Sequence, residues 1–278
     1  MNTQLLGLLA ETSIHPGAGQ SAGIVDLPVA REAATDYPVI PGSSLKGALL
    51  DLARQKNVEK AVLDHVFGKQ ESAGALVVSD ARLLLLPVRS LHSAYKWVTC
   101  PHLLERFHRD RQRSGHVLSL PTCNVKSNTY LGNDCGNLFL EERLFSRAEE
   151  IPPPVIDAIH ALLPSDASHA HTRERLAEQL IVLNDDDFAW FARYGLGVQA
   201  RNVLDSERKT SKNLWYEETI PADTLFYTLL AERQSDGKAL DTVAGLFKER
   251  PYLQTGGNET VGMGWFAVAL TNGKGGAA

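Results

Sequence analysis

Pro38-Val-Ile-Pro-Gly-Ser-Ser-Leu-Lys-Gly-Ala-Leu-Leu-Asp-Leu-Ala-Arg54 holds the clearest change of pattern in this 278-residue chain. Leu45, Ala48, Leu49 and Leu52 fall at i, i+3, i+4 and i+7, which is one apolar face of a helix. Ser43 or Ser44 suits the N-cap, and Lys46 then lies in the first turn. Before it, residues 4–12 read as a strand, followed by a glycine-rich loop at 15–23 and a short, partly alternating stretch at 24–30 that Pro28 breaks. After it, 75–79 and 82–87 read as strands separated by Asp80-Ala81.

The far end repeats this order. Residues 224–231 predict a buried strand, and 238–248 a helix with Leu240, Val243, Ala244 and Phe247 on one face. A second glycine-rich loop spans 256–264, and 265–270 form a closing strand. A β-α-β unit at each end on an antiparallel sheet makes the fold class α+β and ferredoxin-like. The middle, 88–215, is too long for simple loops and holds insertions. Helices are expected there at 101–113, with Pro101 at its first position, and at 172–183. The tail, 272–278, is expected to be disordered.

Composition excludes several classes. No run of about 18 apolar residues spans a bilayer, and no basic stretch precedes an apolar segment as in a secretory leader. Cys100, Cys123 and Cys135 lack the spacing of a zinc site or a disulfide framework, which suits a reduced, cytoplasmic setting. The net charge of −5 argues against a nucleic-acid binder taken as a sum. Its distribution argues the other way. Residues 82–113 carry seven Lys or Arg against two acids, and 193–212 carry five against two. These clusters either form one basic stripe or are two solvated faces.

Four segments together resemble the repeat-associated mysterious protein (RAMP) superfamily, and within it the backbone subunit of type III-B CRISPR (Cmr) complexes. They are His15-Pro-Gly-Ala-Gly19 with Ile24-Val-Asp26-Leu-Pro-Val-Ala-Arg31-Glu32; Pro38 to Gly47; Asn213-Leu-Trp-Tyr-Glu217-Glu218-Thr-Ile-Pro221; and Gly256-Gly-Asn-Glu-Thr-Val-Gly-Met-Gly264. The resemblance implies one domain over 1–278, with insertions at about 88–185 and a β-hairpin thumb at about 193–216. It implies copies stacked in a filament along a CRISPR guide RNA with other Cmr subunits, and regularly spaced cuts in a complementary target RNA. It also implies a divalent cation, Mg2+ or another. One departure stands out: the family's last glycine motif usually carries a basic residue between its glycines, where this chain has Met263.

RNA cleavage by its own 2′-hydroxyl needs a proton removed, charge on phosphorus stabilised and the leaving oxygen protonated. Asp26 is the expected centre, through the 2′-hydroxyl or a hydrated Mg2+, and the resemblance assigns it that role; a turn or capping aspartate is the alternative. Histidine is the side chain suited to proton transfer near neutral pH, so His15 is a candidate acid or base, an RNA-stacking group or a purely structural residue. Glu217 is preferred over Glu218 from the family pattern, because neighbours in a strand point to opposite faces. Ser43, Ser44 and Lys46 at a helix start suit guide phosphates, and Gly256 and Gly257 permit close approach of backbone to RNA. Arg31 and Arg54 are further phosphate candidates or solvated cations. Val203 and Leu204 are candidates to wedge between bases. Two other readings stay open: a guide-binding assembly subunit without cleavage, and a small-molecule enzyme holding a nucleotide on its glycine loops.

Overall fold

The computed structural model describes residues 2–21, 23–134, 136–208, 210–234 and 237–271. The expected disordered tail and Cys135 lie outside these residues. The chain is a mixed α/β fold built on one large sheet.

The first strand, Thr3–Ala10, lies inside one half of that sheet. It pairs antiparallel with Leu225–Glu232 on one side and with Trp265–Thr271 on the other. Leu225–Glu232 pairs in turn with Leu76–Val78 and Ala81–Arg89, again antiparallel. Taken in chain order, the four strands therefore lie in the sequence fourth, first, third, second. The helices Gly42–Gln55 and Lys238–Leu246 join them.

Alternation along the first strand explains how the layers form. Leu6, Leu8 and Ala10 project into a core shared with Leu45, Leu49 and Ala53 of one helix and Val243 and Leu246 of the other. Leu5 and Leu9 project the opposite way, onto Phe107, Val155, Ile159, Leu162 and Leu176 of the middle region. Each fully buried leucine contributes about 1.5–3 kcal/mol. Gly7 lies on this second face, where a Cβ would fall 2.2 Å from the Leu162 carbonyl oxygen. The absence of a side chain lets the backbone at Leu162 rest directly on the sheet, so both sheet faces are covered.

The middle region also extends the sheet. Tyr95–Thr99 pairs with Ala81–Arg89, and Leu180–Leu183 runs parallel to it. Thr129–Leu131, Arg143–Glu149 and Asn137–Leu140 complete the edge. The expected helix at 172–183 is here a helix, Ala170–Gln179, followed directly by that strand. Leu180-Ile-Val-Leu183 is fully buried between two partner strands, and this pairing overrides the helical continuation. The stretch 24–30 forms only isolated bridges, Leu27 to Glu217 and Val29 to Gly17.

The two basic clusters do not make a stripe. Arg82 and Arg113 pair with Asp110, Arg89 with Glu141, Lys96 with Asp134 and Arg106 with Glu32. In the second cluster Arg201 lies near Glu217, Lys212 pairs with Asp205 and Arg193 with Asp36. Neighbouring acids pair with these eight cations within the fold. His169 is likewise a clasp, its Nε2 2.7 Å from Glu11 and its Nδ1 2.8 Å from Asp166, while His171 is exposed. Among the described residues, no helix is long and apolar enough to cross a membrane.

Candidate cleavage site and nucleic-acid interface

Gly197–Leu204 and Ser211–Thr219 form a separate two-stranded hairpin that projects from the sheet. Its far half is exposed on both faces, with Val203, Leu204 and Leu214 about half accessible to solvent. Its base is gripped by the segment 14–31, and that grip positions the candidate residues.

Asp26 is exposed in a cleft of about 410 Å3, lined also by Gln20, Ser21, Leu27, Asn213, Leu214 and Trp215. Its Oδ2 accepts the Tyr216 backbone N–H at 2.7 Å. On either side of this bond Leu27 N–H donates to Tyr216 O, and Glu218 N–H donates to Leu27 O. The loop is thus laid along the hairpin strand like a third strand. One carboxylate oxygen of Asp26 is held by this bond, and the other, Oδ1, is left to act in the cleft. Among the described residues, Asp26 is the only acid lining that cleft.

His15 and Glu217 do not join it there. His15 is buried, and its Nδ1 lies 2.8 Å from the Glu218 carbonyl oxygen. A carbonyl only accepts, so Nδ1 carries the proton and Nε2 is the second ring nitrogen's free position. The ring is packed between the two glycine loops. A Cβ on Gly17 would lie 3.1 Å from Nε2, and one on Gly257 would lie 3.2 Å from Cδ2. The Gly257 N–H also donates to His15 O at 2.8 Å. His15 therefore joins the loops, and the lack of side chains at Gly17 and Gly257 makes room for it.

Glu217 and Glu218 point to opposite faces, as their adjacency requires, and both are buried. Glu217 Oε1 accepts from Asn258 Nδ2 and lies 3.6 Å from an Arg201 guanidinium nitrogen. Glu218 pairs with Arg31 at 2.7 Å and accepts the Val29 N–H. Arg31 also donates to the carbonyls of Asp36 and Ala192. With its guanidinium engaged on three groups, Arg31 locks the loop to the hairpin rather than facing phosphate. Breaking such a buried pair costs about 3 kcal/mol.

The helix start divides into two sides. Ser44 and Arg54 line a groove of about 630 Å3 together with Gly256 and Gly257. Arg54 is exposed and, among the described residues, pairs only with Asp51, at 3.1 Å. Ser43 and Lys46 instead face a second pocket on the other side. Neither serine caps the helix: both lie inside it, and the Gly42 N–H donates to Asp80 Oδ1 at 2.7 Å. Asp80, in the link between Leu76–Val78 and Ala81–Arg89 and 38 residues on, thus takes the capping role expected of Ser43 or Ser44. Met263 is buried against the glycine loop, its sulfur 3.7 Å from Arg201 and 3.6 Å from Asn258 Nδ2. The Arg201 guanidinium therefore reaches the glycine motif from the hairpin. Asn258, in the left-handed region at φ 62°, has a signal within the Gly-Gly-Asn triplet that sequence reasoning passed over.

Among the described residues, no group of three or more His, Cys, Asp or Glu is placed to hold a metal. A single carboxylate suits a mostly hydrated Mg2+ that takes its other ligands from water and substrate phosphates.

The RAMP superfamily profile matches residues 8–267. A Pyrococcus furiosus protein named CRISPR system Cmr endoribonuclease Cmr4 is 34% identical over 97% of this chain and 96% of its own length. The CRISPR system CMR subunit Cmr4 of Saccharolobus solfataricus is 27% identical over 92% of each chain. The crystal structure of oligomeric Cmr4 from P. furiosus superposes with a TM-score of 0.78, at 29% identity, over 99% of this chain and 100% of that one.

Proposed function

The chain belongs to the RAMP superfamily, and on that premise we propose that it is the repeating backbone subunit of a type III-B CRISPR (Cmr) effector complex and cuts the RNA paired with its guide. The observation that carries the reading is the Asp26 carboxylate, exposed in a cleft and fixed through one oxygen to the hairpin. The four strands and two joining helices of the first sheet half are read as the ferredoxin-like core. The hairpin Gly197–Leu204 and Ser211–Thr219 is read as the thumb. Its exposed Val203 and Leu204 suit contact with unstacked bases.

In this reading target RNA lies along the thumb so that a ribose meets Asp26 Oδ1. Asp26 positions the 2′-hydroxyl and accepts its proton; the 2′ oxygen bonds to phosphorus, the bond to the 5′ oxygen breaks, and that oxygen takes a proton from solvent water. A hydrated Mg2+, if bound, would be held by the Asp26 carboxylate through a water ligand and would supply neutralisation of phosphate charge. The guide backbone lies in the groove between Ser44, Arg54 and the glycine loop, where sequence-independent contacts suffice. Partners are guide RNA, target RNA, further copies of the chain and other Cmr subunits. A cytoplasmic setting agrees with the free, buried Cys100 and Cys123.

The burial of His15 and Glu217 away from the Asp26 cleft favours a second reading, a guide-binding assembly subunit without cleavage. The test is a reconstituted complex with guide RNA, Mg2+ and a labelled complementary RNA, comparing wild type with Asp26→Ala. Regular cuts from wild type, lost in a variant that still binds target at equal affinity, support the ribonuclease. Equal cutting by both assigns the chain to assembly.

A further inference from the structure

His169 lies outside the cleft and the groove described above, yet it is buried with both ring nitrogens on carboxylates. It ends the turn Ala167–His169 of the inserted middle region, and the helix Ala170–Gln179 follows it. Its Nε2 lies 2.7 Å from Glu11 Oε1, and its Nδ1 lies 2.8 Å and 2.9 Å from the two carboxylate oxygens of Asp166. An ionised carboxylate only accepts, and a neutral imidazole has a single N–H. The two contacts therefore need one proton more than neutral His169 carries.

The surroundings fix where that proton rests. Asp166 also accepts the Ser168 N–H at 3.0 Å and the Ser168 hydroxyl. Burial raises the Asp166 pKa, but the bonds from Ser168 and His169 outweigh it and hold it at about 2. Asp166 is thus ionised and Nδ1 is protonated. The Glu11 side chain is over a third exposed, where solvent favours the charged carboxylate, so the second proton stays on Nε2. Burial lowers the His169 pKa, and the bonds to Glu11 and Asp166 raise it by more. Around this trio lie further charges. Arg173 donates to the Pro164 and Asp166 carbonyls. Burial raises the pKa of Asp223; Arg175 opposes this, and the charge of Glu11 adds to it.

Glu11 is the first residue past the strand Thr3–Ala10, and its N–H donates to Trp265 O at 2.8 Å. Three residues on, Ile14 exchanges backbone hydrogen bonds with Ile220. The chain then enters the loop that carries His15 and Asp26. His169 thereby ties the inserted region to the root of that loop.

We propose that protonated His169 is a pH-sensitive clasp, which holds the inserted region on the root of the Asp26 loop and releases it when the imidazole loses its proton. The device goes beyond the cleavage proposal and acts whichever role Asp26 has. The folded-state pKa lies above the unfolded value of about 6.5, so the stabilisation is complete below about pH 6.5 and is lost as pH rises through the folded pKa.

A nitrogen-15 titration of the imidazoles in the full chain tests the clasp without a variant that could misfold. His169 should lose its second proton at higher pH than the exposed His171. Thermal melts and amide hydrogen exchange of wild type, His169→Gln and His171→Gln then read the consequence. The His169→Gln midpoint should lie about 3 °C below wild type at pH 6, with the gap narrowing toward pH 9, while His171→Gln tracks wild type throughout. At pH 6 the Glu11 and Ile14 amides should exchange faster in His169→Gln than in wild type. A His169 titration at or below that of His171, or a melting gap that does not change with pH, overturns the clasp. A pH-dependent gap with unchanged exchange at Glu11 and Ile14 overturns its action on the loop.

Discussion

The strand Leu225–Glu232 and the hairpin strand Gly197–Leu204 are each eight residues long, yet seven of the first eight are buried and seven of the second eight are exposed. The first has neighbours on both edges and layers on both faces. The second has one partner strand and, beyond its base, no layer over either face among the described residues. The difference locates function. A sheet covered on both faces offers no platform for stacking bases, so a nucleic acid meets this molecule at its loops, helix starts and hairpin. What holds the hairpin in place is its base: the Arg31–Glu218 pair, the Asp26 bond to Tyr216 and the Glu217 contacts to Asn258 and Arg201.

The contrast is open to a direct challenge. Gly7→Val drives a branched side chain into the Leu162 carbonyl, and we expect a loss of about 3 kcal/mol or more in urea unfolding. A near-neutral result would mean that the middle region does not close on the sheet. At the other extreme, Leu214→Ala on the exposed hairpin should change stability by no more than about 0.5 kcal/mol while altering target-RNA cleavage. A large drop in its thermal midpoint would show that the hairpin packs against something in the isolated chain.

The parts of the fold with a strong local pattern were legible. The helix at Lys238–Leu246 and the strands at both ends follow from periodicity because each buries one consistent face. In sequence Leu180–Leu183 continues the helical stretch with four apolar residues; only their partner strands, distant in sequence, make them extended. The capping of Gly42 by Asp80 and the pairing of Arg31 with Glu218, 187 residues apart, have no local signature either. In the site, Asp26 stood out through the family resemblance, whereas the burial of His15 and Glu217 follows from how the glycine loops and hairpin close around them. Glu11 carries no motif, and folding alone brings it to His169, 158 residues on.

Asp26 has two tasks in this account, anchoring the Tyr216 N–H with one oxygen and acting on RNA with the other. Asp26→Asn separates them, because an amide keeps an acceptor for Tyr216 but carries no charge. Single-turnover cleavage of guide-complementary RNA by the reconstituted complex, alongside the thermal midpoint of the chain, decides the matter. The account predicts an unchanged midpoint, unchanged target binding and cleavage slowed at least about a hundredfold, within the range of a lost general base. Cleavage at the wild-type rate would leave Asp26 an anchor for the hairpin and contradict its place at the centre of the reaction.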